Sequence, residues 1–481
     1  MKALNWIWIG LLAASCAVGP EYRKPPVETP AAFKEAPPGD WKTAEPRDGL
    51  LRGKWWEIFG DPQLNALEEQ VAVSNQTLAQ AEAQFRGARA AVQGARSGLF
   101  PTVTAGASVT NSRASGSRTS TVTGTSRSDT ATIYQVPIDL SYEFDVWGRV
   151  RREIEANVAN AQASAADVEA VRLSLQTELA IDYFQLHGLD EQRQLLDSTV
   201  AAYERAFQIT TKRHDQGVSS GADVAQAQTQ LETTRAQAID LGVARAQLEH
   251  AIAILTGKPP SELTIASAPI GVTPPEIPVA LPAELLERRP DIAAAERRMA
   301  AANAEIGVAR AAYFPSLTLG ASGGFEASTI SKLFSLPNRF WSLGPALVAT
   351  VFDGGRRRAV TAQAEAAYDA NVAAYREGVL TAFQNVEDNL VALRILAEEA
   401  TQQAAATAAA ERSLELARTR YTGGITSYLE VITAQNAALA NERAAVDLRV
   451  RQMTASVNLV KALGGGWSAS ELPAAGSLVS R

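Results

Sequence analysis

The chain has 481 residues, 46% hydrophobic, 20% charged and 6% aromatic, with one cysteine, three histidines and a formal net charge of −7. Length alone suggests two to four ordinary domains at roughly 150 residues each. The only candidate apolar run, Ala3 to Ala14, is shorter than the roughly 20 residues a spanning helix needs, which excludes a polytopic helical membrane protein. A single cysteine excludes a disulfide framework or a thiolate metal cluster, and the acidic balance argues against a nucleic-acid partner.

In chain order, Lys2, a short apolar stretch and small residues before residue 16 predict a secretory signal peptide over residues 1–15. Leu12-Ala13-Ala14-Ser15-Cys16 reads as a lipobox, in which small Ala14 and Ser15 admit a peptidase and leave Cys16 to carry a covalent lipid. A plain signal peptide with an incidental cysteine is the alternative. Residue 17 is Ala rather than Asp, which points to the outer membrane of a Gram-negative cell. Residues 16–60 are rich in proline (Pro20, Pro25, Pro26, Pro30, Pro37, Pro38) and predict an extended arm lying on another part of the molecule.

The remainder is a tandem duplication. Ala95 to Ser108 aligns with Ala309 to Ser322, and Phe144-Asp145-Val-Trp-Gly148-Arg149 with Phe352-Asp353-Gly-Gly355-Arg356. Arg213 to Ser220 aligns with Arg420 to Ser427, and Leu255-Thr-Gly257 with Leu463-Gly-Gly465. Repeat one is residues 61–257 and repeat two 282–465, joined by a linker over 258–281 and followed by a tail over 466–481. Each repeat predicts a helix (about Pro62 to Ser97; Pro282 to Ala312), then two strands (Thr102 to Thr110 and Thr130 to Asp145; Ser316 to Phe325 and Phe340 to Phe352). A helix from Gly148 to about Asp215, or Gly355 to about Thr422, follows. A glycine turn then leads to a shorter helix, Asp223 to Leu255 or Tyr428 to Leu463. At 1.5 Å per residue the long helices reach about 100 Å, which no globular domain needs. Ile154, Val158, Ala161, Ala165, Val168, Arg172, Leu175, Leu179, Asp182 and Leu186 step by alternating four and three, the spacing of a left-handed coiled-coil seam. Leu231 through Leu255 repeats it, so each turn closes an antiparallel helical hairpin.

The strands bear on the membrane. Thr132, Tyr134, Val136, Ile138, Leu140, Tyr142 and Phe144 alternate with Ile133, Gln135, Pro137, Asp139, Ser141, Glu143 and Asp145. Apolar against polar over more than ten residues is the pattern of a transmembrane β-barrel strand, with a half-buried strand of a soluble sandwich as the alternative. Four strands cannot close a barrel, so the chain must oligomerise. The Ser/Thr/Arg/Gly run from Asn111 to Asp129 suits an exposed extracellular loop.

With Cys16-Ala-Val-Gly-Pro-Glu-Tyr22, Trp55-Trp56, Phe59, Asp61-Pro62, Glu287-Arg288-Arg289-Pro290-Asp291-Ile292 and Tyr313-Phe314-Pro315 added to these blocks, the chain resembles the TolC-like outer-membrane efflux proteins, closest to their lipoprotein (NodT) branch. The resemblance implies an α+β membrane protein. Four strands per chain build a homotrimeric 12-stranded outer-membrane β-barrel, continued by a long α-helical periplasmic barrel of coiled-coil hairpins. It implies the exit duct of a tripartite efflux pump, gated and passive, with a periplasmic adaptor and an inner-membrane RND-type transporter as partners, set in outer-membrane lipid.

By the same resemblance, ionic and hydrogen-bond links at the hairpin tips hold the duct shut. Asp215, Asp223, Arg420, Tyr421 and Glu430 are assigned to the gate, and the turn residues Gly217, Val218, Ser219, Gly424, Ile425 and Thr426 to adaptor docking. A protein-secretion duct and a non-conducting trimeric adhesive stalk are the alternative functions; the antiparallel hairpins argue against the stalk. His187, His214 and His250 lack metal-ligand spacing, and no phosphate loop or nucleophile elbow occurs, so neither catalysis nor a cofactor beyond the lipid is expected. Cargo is not legible, although three methionines give no hint of a soft-metal lumen.

Overall fold

The computed structural model describes residues 17–30, 32–35, 53–113, 130–275, 277 and 285–479. Cys16 and most of the expected extracellular loop, residues 114–129, lie outside these. The first helix is expected to run unbroken but is two. Asp61 caps α1 (Pro62–Ser74) by accepting from the backbone N–H groups of Gln63 and Leu64, with Pro62 at the first helical position. The helix stops at Asn75, whose ψ of 126° leaves the helical region. Its side-chain oxygen accepts from Leu78 N–H to start α2 (Gln76–Ser97), while its amide donates to Leu255 C=O at 2.8 Å. The kink is therefore fixed by the end of a distant helix. In repeat two the helix likewise shortens to α5 (Pro290–Ala311), after a single turn at Leu285–Arg288, because Arg289 precedes a proline and takes extended backbone.

The hairpins match expectation closely. The long helices α3 (Arg149–Asp215) and α6 (Arg356–Thr422) both have 67 residues, and their partners α4 (Gly221–Leu255) and α7 (Tyr428–Ala462) both have 35. On α3, Val158, Ala161, Val168, Leu179 and Leu186 of the seam are buried. A second row, Ala159 and Ala166, packs on Ala293, Ala294, Ala300 and Ala301 of α5, where small side chains let the helices approach. Each long helix begins after a left-handed glycine, Gly148 (φ 80°) or Gly355 (φ 91°). Each is tied by an aspartate: Asp145 accepts from Val150 and Arg151 N–H, and Asp353 from Arg357 N–H, as a cap should.

Between these helices lies one antiparallel sheet, β1 (Thr102–Ala105) and β2 (Ser108–Arg113) beside β3 (Thr130–Phe144), then β4 (Ser316–Ala327) and β5 (Arg339–Val348). β1 and β2 are one strand in register, interrupted opposite Pro137, which has no N–H to give the ladder. The outer sides of β1, β2 and β5 have no strand partner among the described residues.

The largest core sits at mid-height of the helices, where Trp55, Trp56, Phe59, Leu64 and Val71 meet Tyr183, Phe184 and Ile252 of repeat one and Met453, Val457 and Val460 of repeat two. The described part of the N-terminal arm, residues 17–30 and 32–35, lies across this body. Phe33 fills a pocket of Val386, Leu390, Leu459 and Leu463, Tyr22 Oη–H donates to Glu296 at 2.5 Å, and Asn303 donates to Pro20 C=O. Gly19 passes so near Gly307 that a Cβ there would stand 2.5 Å from the Gly307 Cα. The C-terminal tail is also docked: α8 (Ala475–Val479) places Leu478 among Val92, Val158 and Ala161.

Glu68 is the anomaly of this core. It is fully buried, and among the described residues neither carboxylate oxygen has a hydrogen-bond partner. Burial pushes its carboxyl well above the usual range, so the folded protein keeps a proton that the unfolded chain releases. Rising pH above the ordinary glutamate value then favours unfolding. Glu68→Gln is expected to raise the melting temperature, by an amount equivalent to roughly 1–3 kcal/mol, more at pH 8 than at pH 5, in calorimetric scans of the detergent-solubilised protein. Equal melting of both proteins across that range would show the carboxyl is not buried unpaired.

A two-faced sheet and paired hairpin tips as the candidate functional site

The register decides what each strand face presents. Leu140 lies opposite Val103 on one side and Ala321 on the other; Ala321 lies opposite Leu343. Residues directly opposite share a face. One face therefore carries Val103, Val109, Tyr134, Val136, Ile138, Leu140, Tyr142, Leu317, Leu319, Phe325, Trp341, Leu343 and Leu347, and Trp341 is 76% exposed. The other carries Thr102, Thr104, Ser108, Thr110, Gln135, Asp139, Ser141, Glu143, Thr318, Ser322 and Ser342. Glu143 accepts from Arg149 Nε–H and Nη2–H at 3.0 and 2.8 Å, an ion pair at the step from strand to helix. Apolar surface outside and hydroxyl or carboxylate surface inside is what a water-filled barrel in lipid requires. Rings cluster at the helical end, where Tyr142 packs edge-on to Phe144, and Trp147 stacks on Phe314 at 4.6 Å and donates to Pro315 C=O.

The tips, at the far end of the helices, repeat one backbone design 207 residues apart. Gly217 N–H donates to His214 C=O and Val218 N–H to Arg213 C=O; Gly424 donates to Tyr421 C=O and Ile425 to Arg420 C=O. Gly217 (φ 74°) and Gly424 (φ 73°) occupy the left-handed position that closes such a turn. Val218 and Ile425 stand 62% and 72% exposed beside them, with Ser219 and Thr426 half-buried. Ser219 Oγ–H donates back to Thr210 C=O.

The five residues assigned to the gate fall into three situations. Asp223 completes a capping box, accepting from Ser220 N–H while donating its own N–H to Ser220 Oγ. Glu430 stands at the equivalent position of α7 but pairs instead with Arg420 at 3.0 Å, with both side chains about half exposed. Asp215 is exposed and has no ion pair among the described residues. Tyr421 is not a surface residue. It is 9% exposed, its ring lies 4.9 Å beneath the Arg213 guanidinium and 5.2 Å from Tyr428, and its hydroxyl has no partner among the described residues. Burial, then Tyr421, push the Tyr428 phenol up to about 12. The gate assignment left out Arg213, which joins the two hairpins through the Tyr421 ring, and Tyr428, which packs on Tyr421 within the second hairpin. A cleft of about 280 Å³ lies beside them, lined by Ile209, Thr210, Tyr421, Tyr428, Val431 and Gln435; the Gln435 side-chain oxygen is buried there without a partner among the described residues. Among the described residues no cluster of side chains could hold a metal ion.

A four-strand share of a two-faced barrel, continued by paired helical hairpins of about 100 Å, defines a subunit of an outer-membrane channel. The chain belongs to the outer membrane efflux protein family, whose profile matches residues 67–258 and 281–465. Its fold is that of the homotrimeric TolC-like channels, and it is the outer-membrane channel component of an efflux pump. It is 33% identical over 475 residues to the pyoverdine export outer membrane protein OpmQ of Pseudomonas aeruginosa, covering 97% of both chains. It is 31% identical over 471 residues to the toluene efflux pump outer membrane protein TtgF of Pseudomonas putida, covering 96% of both. The solved outer-membrane channel OprN superposes with a TM-score of 0.83 at 33% identity, over 94% of this chain and 100% of that one.

Two neighbouring residues of β3 test the face assignment. Leu140→Lys is expected to cost about 2–4 kcal/mol in membrane stability and to abolish insertion, as a charge at mid-bilayer on the lipid side does. Ser141→Lys is expected to insert normally and lower cation conductance. A heat-modifiability gel and bilayer recordings read both, and the reverse pattern would invert the faces.

Proposed function

We propose that this channel is a passive, gated exit duct for small molecules, without enzymatic activity, fed by an inner-membrane RND-type transporter through a periplasmic adaptor. The observation that carries the gate is the state of the tips. Arg420–Glu430 is an exposed pair within one hairpin, worth at most about 1 kcal/mol, and Asp215 is left free for a neighbour. Exchange of such partners between chains costs little, so closure and opening are both within reach. Asp223 keeps the first turn in shape, and Tyr421 with Arg213 is the contact on which the second hairpin moves. The adaptor docks on Gly217, Val218, Ser219, Gly424, Ile425 and Thr426 and along the adjoining cleft, whose unpartnered Gln435 oxygen and Tyr421 hydroxyl give it hydrogen-bonding sites.

Cys16 carries the lipid. Support comes from Ala17, the residue after it, which lies against Gly148 at the strand-to-helix junction, while Val18 N–H donates to Trp147 C=O. That position is beside the ring cluster at the barrel base, where acyl chains enter the inner leaflet. The cargo is small molecules, by the relatives' printed names, and its chemistry is set elsewhere: OpmQ and TtgF are 33% and 31% identical to this chain and are named for unrelated compounds.

In planar bilayers, the Asp215→Ala, Arg420→Ala, Tyr421→Ala triple variant is expected to raise open probability about tenfold, equivalent to ~1.4 kcal/mol. Equal conductance in both proteins would keep the channel and reject the gate. Val218→Asp with Ile425→Asp is expected to leave conductance unchanged and abolish efflux in cells; efflux at the wild-type level would remove the turns from the docking site.

A further inference from the structure

The loop joining β4 to β5, residues 328–338, lies at the end of the barrel farthest from the helices, and so faces the cell exterior. It is an ordered structure: Lys332 N–H donates to Thr329 C=O, Leu333 N–H to Ile330 C=O, and the Asn338 amide to both Lys332 C=O and Ser335 Oγ. Leu333 is buried, so the loop has an apolar anchor of its own. Nevertheless Ile330, Phe334 and Leu336 stand 67%, 71% and 79% exposed.

Two observations say which side they cover. Phe334 packs edge-on at 5.5 Å against Phe325, which belongs to the apolar outer face. Arg339, opposite Phe325 in the register, emerges on that same face, two residues above exposed Trp341. The loop therefore extends the lipid-facing surface upward and does not fold across the lumen. Lys332 and Arg339 are both exposed, and neither has an ion pair among the described residues.

We propose that this loop and the rim beneath it form a binding site for a phosphorylated glycolipid of the outer leaflet. Ile330, Phe334, Leu336 and Trp341 lie among the upper acyl carbons, and Lys332 and Arg339 meet the headgroup phosphates. Apolar rings under cations on one face match an amphiphile with anionic groups above its chains. A neutral lipid would leave both cations unmatched.

The test uses the full-length protein in dodecyl maltoside, incubated with diphosphorylated lipid A, dephosphorylated lipid A or phosphatidylethanolamine, with retained lipid counted by native mass spectrometry. The wild type is expected to retain the diphosphorylated form preferentially. Lys332→Ser with Arg339→Ser is expected to cut that retention about fivefold per cation removed, leaving single-channel conductance unchanged. Lys332→Arg with Arg339→Lys is expected to retain lipid as the wild type does, which separates charge from folding. Ile330→Ser with Phe334→Ser is expected to weaken retention of all three lipids. Equal retention with and without phosphates, or no loss in the double serine variant, would overturn the proposal. So would a rise in conductance on removing Phe334, which would place the loop over the lumen.

Discussion

Hydrocarbon offers no hydrogen bonds, so every backbone N–H and C=O that enters it must be paired within protein. One chain of this protein violates that requirement along the outer sides of β1, β2 and β5. The barrel therefore exists only between chains, and its closure fixes the circumference on which the helices stand. The strand faces follow: with closure, one face meets lipid and the other water, and β3 to β5 set Leu140, Ala321 and Leu343 on the first and Asp139, Ser322 and Ser342 on the second without a break in register. The hand-off from strand to helix is solved twice with one device, a left-handed glycine followed by a helix whose first N–H groups are held by an aspartate from the segment between strand and helix.

Below the barrel the energetics change along the helices. At mid-height, rings from the arm and repeat one share one core with Met453, Val457 and Val460 of repeat two. Toward the tips the shared cluster shrinks to Ala227, Ala417, Ala434, Val431 and two tyrosines, and the polar contacts are half-exposed pairs. Less apolar area removed from water means less stabilisation per turn of helix. Local opening is cheapest where such contacts are few, so the end farthest from the membrane is where the duct yields first. The arm and tail act in the opposite sense, strapping the mid-height region with Phe33 and Leu478.

Features with a period were legible in the sequence. Alternation over residues 130–144, the four-three spacing on α3 and the matched blocks of the duplication each come from many residues, so single exceptions do not hide them. What escaped depends on one side chain meeting a distant partner. Asn75 breaks a helix because Leu255 C=O is there to receive its amide. Tyr421 looks like a surface tip residue until Arg213 and Tyr428 are seen around it. Glu68 is buried only by the packing of its helix into the core, which the local sequence does not announce. Its own helix carries charged and apolar residues in a pattern that a solvated stripe would share.

The tips show how little sequence change the duplication needed to differentiate its halves. Both turns have the same hydrogen bonds and the same left-handed glycine, so their backbones are interchangeable. At the third position of the following helix, repeat one has Asp223 and repeat two Glu430, after a serine in each case. The shorter carboxylate reaches back to Ser220 N–H and spends its charge within the turn. The longer one passes Ser427 and reaches Arg420, whose counterpart in repeat one, Arg213, is held over the Tyr421 ring. One methylene thus converts a local cap, worth typically about 1 kcal/mol and independent of neighbours, into an exposed pair whose partner can be exchanged. A ring built of such chains alternates a fixed tip with a releasable one, which is the arrangement a gate needs if it is to open without dismantling the tunnel above it.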